Sequence, residues 1–360
     1  MNTWKQLSVA LIIVYVTVIT AYGQSDNAPV DATADFWHGI AKPASFGKPF
    51  WADMRSTLIR TEIAYATNSP DYDWAGVNTD FRPFIFANLG ADIPLWSGDF
   101  SNGKYGFCLT LPFMIDVWLD RFDGDGLQTD AVINTSYGFA LLEAGFIYRL
   151  NLALPVLPIF NIYNWAVKFS LFKHESTHIG DELAIRRKDL GLPITRIDVA
   201  ANYAELIFIL NDPDGQTRLN HGFKFGSLVL HNFKRGWYKV YETEAQTDIV
   251  ERSQFPFELY AQYQFQSPLL GRGFQIIASA EYRLRERYKY PFSYSSENEY
   301  EETNLANCFN FFAGVRYDNQ KADYFSKIGV GLRYYIGINP YGQFRSMPYF
   351  NQLGFAVIFE

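Results

Sequence analysis

The sequence predicts a single-domain, all-β transmembrane barrel of about twelve antiparallel strands, of the bacterial outer-membrane type. Three observations indicate it: alternating aromatic-rich segments, gaps of alternating length, and an N-terminal export signal. In such barrels tight turns lie on the periplasmic side and longer loops lie outside. Short gaps fall at 97–102, 212–217, 268–271 and 319–323, and long gaps at 68–79, 120–130, 179–194, 232–254, 287–305 and 337–347. The gap at 151–159 is short but apolar and fits neither class clearly.

Residues 1–23 have the pattern of a secretory signal peptide. Lys5 supplies a positive start, residues 7–20 form an apolar run, and Ala21-Tyr22-Gly23 is a small-x-small cleavage site. The run is too short to predict a spanning helix. We therefore expect export through the inner membrane and a mature chain located in the outer membrane.

Residues 24–50 are polar without clean periodicity, which predicts a periplasmic lead-in segment before a barrel of residues 51–360. Twelve candidate strands follow, an even number that places both ends of the barrel in the periplasm. They span about 55–67, 80–96, 103–119, 131–150, 160–178, 195–211, 218–231, 255–267, 272–286, 305–318, 324–336 and 348–359.

Each strand has an apolar and a polar phase. Residues 257, 259, 261, 263 and 265 are apolar or aromatic, whereas most of the positions between them are polar. Period two places one set against lipid and the other in the lumen. Cys108 and Cys308 both fall on the polar phase, which leaves open a bridge across the lumen or two free thiols. Twelve strands leave little open lumen, so we expect a narrow or plugged barrel.

Composition limits the partners. The formal charge is −7, and removing the signal peptide with Lys5 makes it −8, which argues against nucleic acid. A barrel of this type implies outer-membrane lipid, lipopolysaccharide and the barrel-assembly machinery as partners. No cofactor is indicated, and calcium is left open. The basic run 186–188 is either a solvated loop or a contact for lipopolysaccharide phosphates.

The most distinctive polar segment is His174-Glu175-Ser176-Thr177-His178-Ile179-Gly180-Asp181-Glu182. It contains HExxH, which binds zinc when a helix brings both histidines to one face. The segment instead ends a strand-like run. Four residues of a strand span roughly 13 Å, too far for one zinc ion with bonds near 2 Å. A zinc protease is therefore disfavoured.

A second interpretation is a His174-x-Ser176 dyad. Residues two apart on a strand point to the same side, so His174 could take the proton of the Ser176 hydroxyl. The pattern resembles the His-x-Ser of outer-membrane phospholipase A and of the barrel lipid A deacylases, in which the dyad faces the lipid. Here the phase of Trp165, Val167 and Phe169 predicts that His174 and Ser176 face the lumen. A bulge near Lys173 would invert that phase, but nothing in the sequence requires one.

The third interpretation is a luminal polar network near the outer rim, for binding or structure. It would join His174, Ser176, His178, Asp181 and Glu182 with residues of the next strand, on which Arg196, Asp198 and Asn202 share one phase. These three residues, and Asn202 above all, would either orient a catalytic His174 or simply be its hydrogen-bond partners.

Three spots together resemble a known family. They are Phe46-Gly47-Lys48-Pro49 with Ala52-Asp53-x-Arg55, the segment 174–182 ending in Gly-Asp-Glu, and Asn339-Pro340-Tyr341-Gly342-Gln343-Phe344. In this order they are similar to the domain-of-unknown-function 1207 family of bacterial outer-membrane barrels. Glu175 and Thr177 depart from that family's pattern. The resemblance implies an outer-membrane barrel and no established activity.

The sequence thus leaves three functions open. The first is an outer-membrane barrel with a narrow or plugged lumen and a polar His/Ser/Asp/Glu cluster near the outer rim. The second is a lipid-modifying serine acyl hydrolase that uses His174 and Ser176. The third is a narrow channel for a small solute.

Overall fold

A computed structural model describes most of the predicted barrel. The described residues are 50–53, 58–67, 72–74, 77–79, 84–100, 104–120, 122–124, 127–128, 132–152, 162–179, 196–211, 220–231, 234–240, 246–253, 255–269, 273–287, 304–318, 327–338 and 350–359. Within these ranges no helix is long and apolar enough to cross a membrane. The predicted signal peptide, the lead-in before residue 50, Asp181, Glu182 and residues 186–188 lie outside the described residues.

Nineteen strands form the described part of the chain. They are β1 (Ile59–Ala66), β2 (Tyr72–Trp74), β3 (Val77–Thr79), β4 (Phe84–Phe100), β5 (Tyr105–Asp120), β6 (Phe122–Gly124), β7 (Leu127–Gln128), β8 (Val132–Ala140), β9 (Glu143–Leu152), β10 (Ile162–Ile179), β11 (Arg196–Leu210), β12 (Asn220–Leu230), β13 (Lys234–Val240), β14 (Gln246–Arg252), β15 (Phe257–Pro268), β16 (Phe274–Arg287), β17 (Asn304–Asp318), β18 (Lys327–Gly337) and β19 (Phe350–Phe359).

Fifteen of these strands close into one antiparallel barrel of twelve wall positions. Three positions are each shared by two consecutive strands separated by a short break: β8 with β9, β12 with β13, and β14 with β15. The first and last strands pair along their length, from Ile59 opposite Phe359 to Ala66 opposite Gln352. This closure leaves no unpaired edge in the membrane and confirms the predicted twelve-stranded transmembrane barrel.

Three of the predicted long gaps, 68–79, 120–130 and 232–254, contain strands. β2, β3, β6 and β7 form a separate four-stranded sheet within the connections that follow β1 and β5. The prediction that residues 232–254 form a loop was wrong. Here β13 and β14 pair with each other and extend the hairpin of β12 and β15 as far as Val240 and Gln246. The longer connections otherwise lie at one end of the barrel, which marks that end as extracellular.

The two phases of the wall separate cleanly. On β15, Leu259 is 43% exposed, whereas Glu258, Tyr260, Gln262 and Gln264 are nearly fully buried. Among the described residues, eight acidic and eight basic side chains are buried, and most of them point into the lumen. Charged groups remain buried only when paired or hydrogen-bonded. The lumen is therefore packed with side chains of nearly balanced charge, and Cys108 and Cys308 lie in it as free thiols.

The chain just before β1 also lies inside the barrel. Trp51 donates its backbone N–H to Gln264, with an N···O distance of 2.9 Å, and its ring meets Phe312 edge-on. Ala52 donates to Ser279, and Asp53 lies 3.6 Å from the guanidinium of Arg283. Of the predicted periplasmic lead-in, the structure describes only Phe50, which is buried below the ammonium group of Lys224. Residues 50–53 thus fill part of the lumen.

Gly329 on β18 makes room for the Trp51 ring. A Cβ atom at this position would lie 2.1 Å from the ring. We therefore expect Gly329→Leu to displace Trp51 and to lower the free energy of unfolding by about 1–3 kcal/mol, the usual cost of overpacking. Urea unfolding of the barrel in lipid vesicles measures this change. Val330→Leu is the matched control, because Val330 is 44% exposed on the outer face of the same strand. Equal stability of the two variants would contradict the prediction.

Candidate active site

The first half of β10, up to Ser170, alternates between lumen and exterior as the sequence predicts. Lys168 and Ser170 are 4% and 1% exposed and face the lumen, whereas Phe169 between them is 41% exposed on the outside. Lys168 donates to Glu143 on β9 with an N···O distance of 2.6 Å. If this phase continued, His174 and Ser176 would also be luminal.

A bulge interrupts that phase. Ser170 pairs with Glu205 of β11, but Lys173 pairs with Tyr203, so three steps along β10 match two steps along β11. The extra residue lies within Leu171-Phe172, and Leu171 is 68% exposed. One additional residue moves every following side chain to the other face of a strand. The prediction that His174 and Ser176 face the lumen was therefore wrong.

The pairing on the other side of β10 gives the same result. Glu175 pairs with Gly138 of β8, which pairs in turn with Met114 of β5, a buried luminal residue. Glu175 therefore has the luminal phase, whereas His174 and Ser176 have the outward phase. The wall carries further irregularities at the same level, between Pro94 and Trp96 of β4 and at the β8–β9 break. The inversion thus belongs to a row of irregularities across neighbouring strands.

Lys173, the first paired residue after the bulge, forms an ion pair on the luminal side of the wall. Its Nζ donates to Glu205 Oε2 with an N···O distance of 3.0 Å, and Glu205 Oε1 accepts from the hydroxyl of Tyr260 at 3.0 Å. The Tyr260 ring is stacked under the guanidinium of Arg283, 4.6 Å from the ring centroid. Gly226 makes this arrangement possible, because a Cβ atom there would lie 1.9 Å from Tyr260. These buried contacts fix Lys173, the residue next to His174, on the luminal side.

Removing the charge of Lys173 is expected to lower the stability of the barrel. Lys173→Met would leave Glu205 with one hydrogen bond from Tyr260 and without its ion pair, and should lower the free energy of unfolding by about 1–3 kcal/mol. Urea unfolding in lipid vesicles measures the loss. Lys173→Arg keeps the charge and serves as the matched control. A Met variant as stable as the Arg variant would show that the pair does not hold the bulge.

On the outer face, His174 and Asn202 form a direct pair. They are opposite each other in the β10–β11 register, and the Nδ1 of His174 lies 2.7 Å from the Oδ1 of Asn202. Asn202 has the parity of Leu206 and Phe208, which are 52% and 38% exposed on the outside. The predicted luminal phase of Asn202 was therefore wrong, because it lies four and six residues from these two exposed residues and alternate residues of a strand share a face.

Ser176 follows His174 on the same face, about 7 Å further along the strand at Cα. Ser176 is 4% exposed, and His174 is half-buried. Both residues lie within the last six positions of β10, at its extracellular end. The structure thus brings together His174, Ser176 and Asn202, three of the residues that the sequence singled out.

The other predicted site residues are less completely placed. The backbone of His178 pairs with that of Asp198 two steps beyond Ser176, and Arg196 begins β11. Their side chains lie outside the described part of the structure, as do Asp181 and Glu182 entirely. β10 runs as a strand from Ile162 to Ile179, so the HExxH segment does not have the helical geometry of a zinc site. Among the described residues, no group of three or more ligating side chains could hold a metal ion.

The arrangement has the parts of a general-base dyad with an orienting group. If Asn202 Oδ1 accepts a hydrogen bond from Nδ1–H of His174, the other ring nitrogen, Nε2, keeps its lone pair. That nitrogen can then take a proton from a hydroxyl group beside it. Sequence reasoning missed Lys173 and Tyr260 as supports of this site. The sequence signal that could have revealed Lys173 is its charge, because Glu205 on the neighbouring strand β11 has the opposite charge.

Comparison with known proteins gives matches of fold only. No family model and no curated protein matches the chain, so the resemblance to the domain-of-unknown-function 1207 family stays a prediction. Among solved structures, outer membrane phospholipase A from Escherichia coli is 9% identical over 85% of this chain and 93% of its own, with a TM-score of 0.42.

Two further solved structures have similar coverage. The translocator domain of autotransporter NalP from Neisseria meningitidis is 10% identical over 84% of this chain and 86% of its own, with a TM-score of 0.39. The toluene transporter TodX from Pseudomonas putida is 8% identical over 95% of this chain and 96% of its own, with a TM-score of 0.32. The chain's own architecture is a closed antiparallel β-barrel with twelve wall positions, which is the form of a transmembrane barrel.

Proposed function

We propose that this barrel is a serine acyl hydrolase that acts on lipids of the outer membrane. The observation that carries the proposal is the hydrogen-bonded pair of His174 and Asn202 beside Ser176, on the outward face of the wall. A serine nucleophile, a histidine base and an amide that orients the ring are the elements of covalent acyl transfer.

The roles are assigned from the His174–Asn202 hydrogen bond and from the position of Ser176 two residues further along the same strand. Asn202 Oδ1 accepts from Nδ1–H of His174 and fixes the ring, and Nε2 of His174 takes the proton of the Ser176 hydroxyl. Ser176 Oγ then attacks the carbonyl carbon of a lipid ester. His174 returns the proton to the leaving alcohol, and an acyl-serine is left, which water hydrolyses with the same histidine as base.

The bulge supports lipid as the substrate class. It turns His174 and Ser176 to the face that also carries Phe169, Leu171 and Leu206, three of the exposed apolar residues of the wall. The ester bonds of outer-leaflet lipids lie near the extracellular end of such a wall, and so does this site. Phospholipid and lipopolysaccharide both carry acyl esters, and the assay has to separate them.

The packing of the lumen favours this function over a solute channel. Buried ion pairs such as Lys168 with Glu143 and Glu62 with Arg333, together with Trp51, occupy the interior. Twelve strands enclose a space that side chains can largely fill. A plugged barrel is therefore the companion proposal, and planar bilayers should give no steady conductance for the wild-type protein.

The test is acyl release from vesicles of phospholipid and from lipopolysaccharide by the refolded full-length barrel, with and without calcium. We expect release by the wild type and none above background for Ser176→Ala or His174→Ala. Ser170→Ala is the matched control, because Ser170 lies on the same strand but is buried on the luminal face. Inactive wild-type protein that is correctly folded, or an active Ser176→Ala variant, would refute the hydrolase.

A further inference from the structure

His231 contacts the bulge of β10 from outside the barrel. It follows Leu230, the last residue of β12, and its Nε2 lies 2.7 Å from the carbonyl oxygen of Leu171. Because a carbonyl oxygen only accepts, the ring carries its proton on Nε2 and donates it. The same ring stacks on Phe172, with centroids 6.0 Å apart and planes at 25°. One side chain therefore binds both residues of the bulge.

The strand register places His231 level with the inversion. Leu230 pairs with Tyr203 of β11, and Tyr203 is also the partner of Lys173, the first paired residue after the bulge. His231 thus reaches across β11 to β10 at the row where the phase changes. His231 lies between two strands, since β12 ends at Leu230 and β13 begins at Lys234. Because His231 lies outside both strands, its side chain can reach across β11 to Leu171 of β10.

The bulge needs such a donor. An extra residue in a strand leaves backbone groups outside the ladder, and an unpaired carbonyl at a lipid-facing surface is strongly unfavourable. The backbone N–H of Leu141 donates to the carbonyl of Phe172, with an N···O distance of 3.0 Å. His231 donates to the other carbonyl, that of Leu171. Between them, the two donors satisfy the backbone acceptors of both bulge residues.

We infer that His231 is a positioning residue for the site. It stabilises the bulged form of β10, in which His174 and Ser176 face outward, over a straight strand in which they would face the lumen. Lys173 and Glu205 hold the same bulge from the luminal side. The effect of His231 on catalysis rests on the proposed acyl hydrolase, but its effect on the phase of β10 can be measured without any turnover.

Three variants at position 231 separate the hydrogen bond from the ring contact. His231→Gln keeps a side-chain N–H donor, His231→Phe keeps a ring against Phe172 but has no donor, and His231→Ala lacks both. Acyl release should show kcat lowered about tenfold for Phe and Ala at unchanged KM, which is the effect of losing one hydrogen bond of ordinary strength. The Gln variant should restore kcat to within about twofold of the wild type.

The phase of β10 is read with a probe on a single cysteine. In a background without Cys108 and Cys308, His174→Cys and Glu175→Cys each receive a bimane label, and quenching by lipids brominated in the acyl chains is compared. With histidine or glutamine at 231, the label at 174 should be quenched several-fold more than the label at 175. With phenylalanine or alanine at 231, the difference should vanish or reverse. Migration before and after heating identifies barrels that have folded.

The outcomes are distinct. A difference in quenching that is the same with histidine, phenylalanine and alanine at 231 would overturn the positioning role, whatever the activity. A difference that is present with histidine but lost with phenylalanine and alanine at 231, together with no release of fatty acid by the wild-type barrel, would uphold the positioning role and refute the hydrolase. If neither Phe nor Ala folds while Gln does, quenching in the Gln variant that matches the wild type upholds the requirement for a donor. Equal quenching of both labels in the Gln variant overturns it.

Discussion

Replacing Asn202 by leucine is expected to lower kcat for acyl release by about 10²- to 10⁴-fold while the barrel stays folded. The Oδ1 atom of Asn202 is 2.7 Å from Nδ1 of His174, and leucine has no acceptor at that position. Without it, the imidazole can adopt the other tautomer or rotate, and Nε2 no longer serves as a base toward Ser176. Loss of the group that orients a catalytic histidine has effects of this size in serine hydrolases.

Two companion variants make this result specific. Asn202→Asp keeps an acceptor for Nδ1–H and should retain kcat within about tenfold of the wild type. Asn307→Leu is the matched control, because Asn307 is an exposed asparagine that accepts from the hydroxyl of Tyr282 at 2.7 Å on a distant strand. It should leave kcat unchanged. Wild-type kcat in Asn202→Leu would mean that Asn202 does not orient His174 in the reaction.

The largest expected change in stability is at Glu62. This carboxylate on β1 is fully buried, and its Oε1 accepts from Arg333 of β18 and from Gln352 of β19, both at 2.9 Å. Its Oε2 lies 2.7 Å from Nε of Arg333 in the same ion pair. Glu62→Leu would leave the Arg333 guanidinium buried without its anion. We expect the free energy of unfolding to fall by about 3–5 kcal/mol, as for other buried pairs that lose one partner.

The double variant tests whether an uncompensated charge is the cause. Glu62→Leu with Arg333→Leu removes both charges and replaces them with apolar side chains, so it should regain most of the stability lost in Glu62→Leu alone. Urea unfolding in lipid vesicles, followed by tryptophan fluorescence, gives both values. A double variant that is less stable than the single one would contradict this explanation and assign the loss to packing.

The barrel could be predicted from the sequence because its signals repeat. Period-two alternation recurs from strand to strand, and most of the gaps alternate between long and short, so an error at one strand does not change the count. The prediction of a loop at 232–254 failed for a local reason. The residues of β13 and β14, KRGWYKV and QTDIVER, do not alternate between apolar and polar types, so the period-two signal is missing there.

The orientation of the site could not be predicted from the sequence in the same way. The alternation of Val167 and Phe169, continued across Leu171-Phe172, predicts that His174 and Ser176 face the lumen. The single extra residue of the bulge reverses the face of the residues that follow it. A bulge has no required residue type at this position, and its supports are distant in sequence. Lys173 depends on Glu205, and Leu171 depends on His231, sixty residues away. Only the folded wall brings these groups together.

The position of Trp51 inside the lumen constrains the order in which the protein matures. The segment 50–53 leaves the ribosome early, yet it contacts residues of β15, β16 and β17, which are synthesised some two hundred residues later. The following strand, β1, likewise pairs with β19, which is synthesised almost three hundred residues later. The complete set of strands must therefore be present before the barrel can close around this segment, and a chain cut short of β19 would keep open strand edges and an unfilled interior.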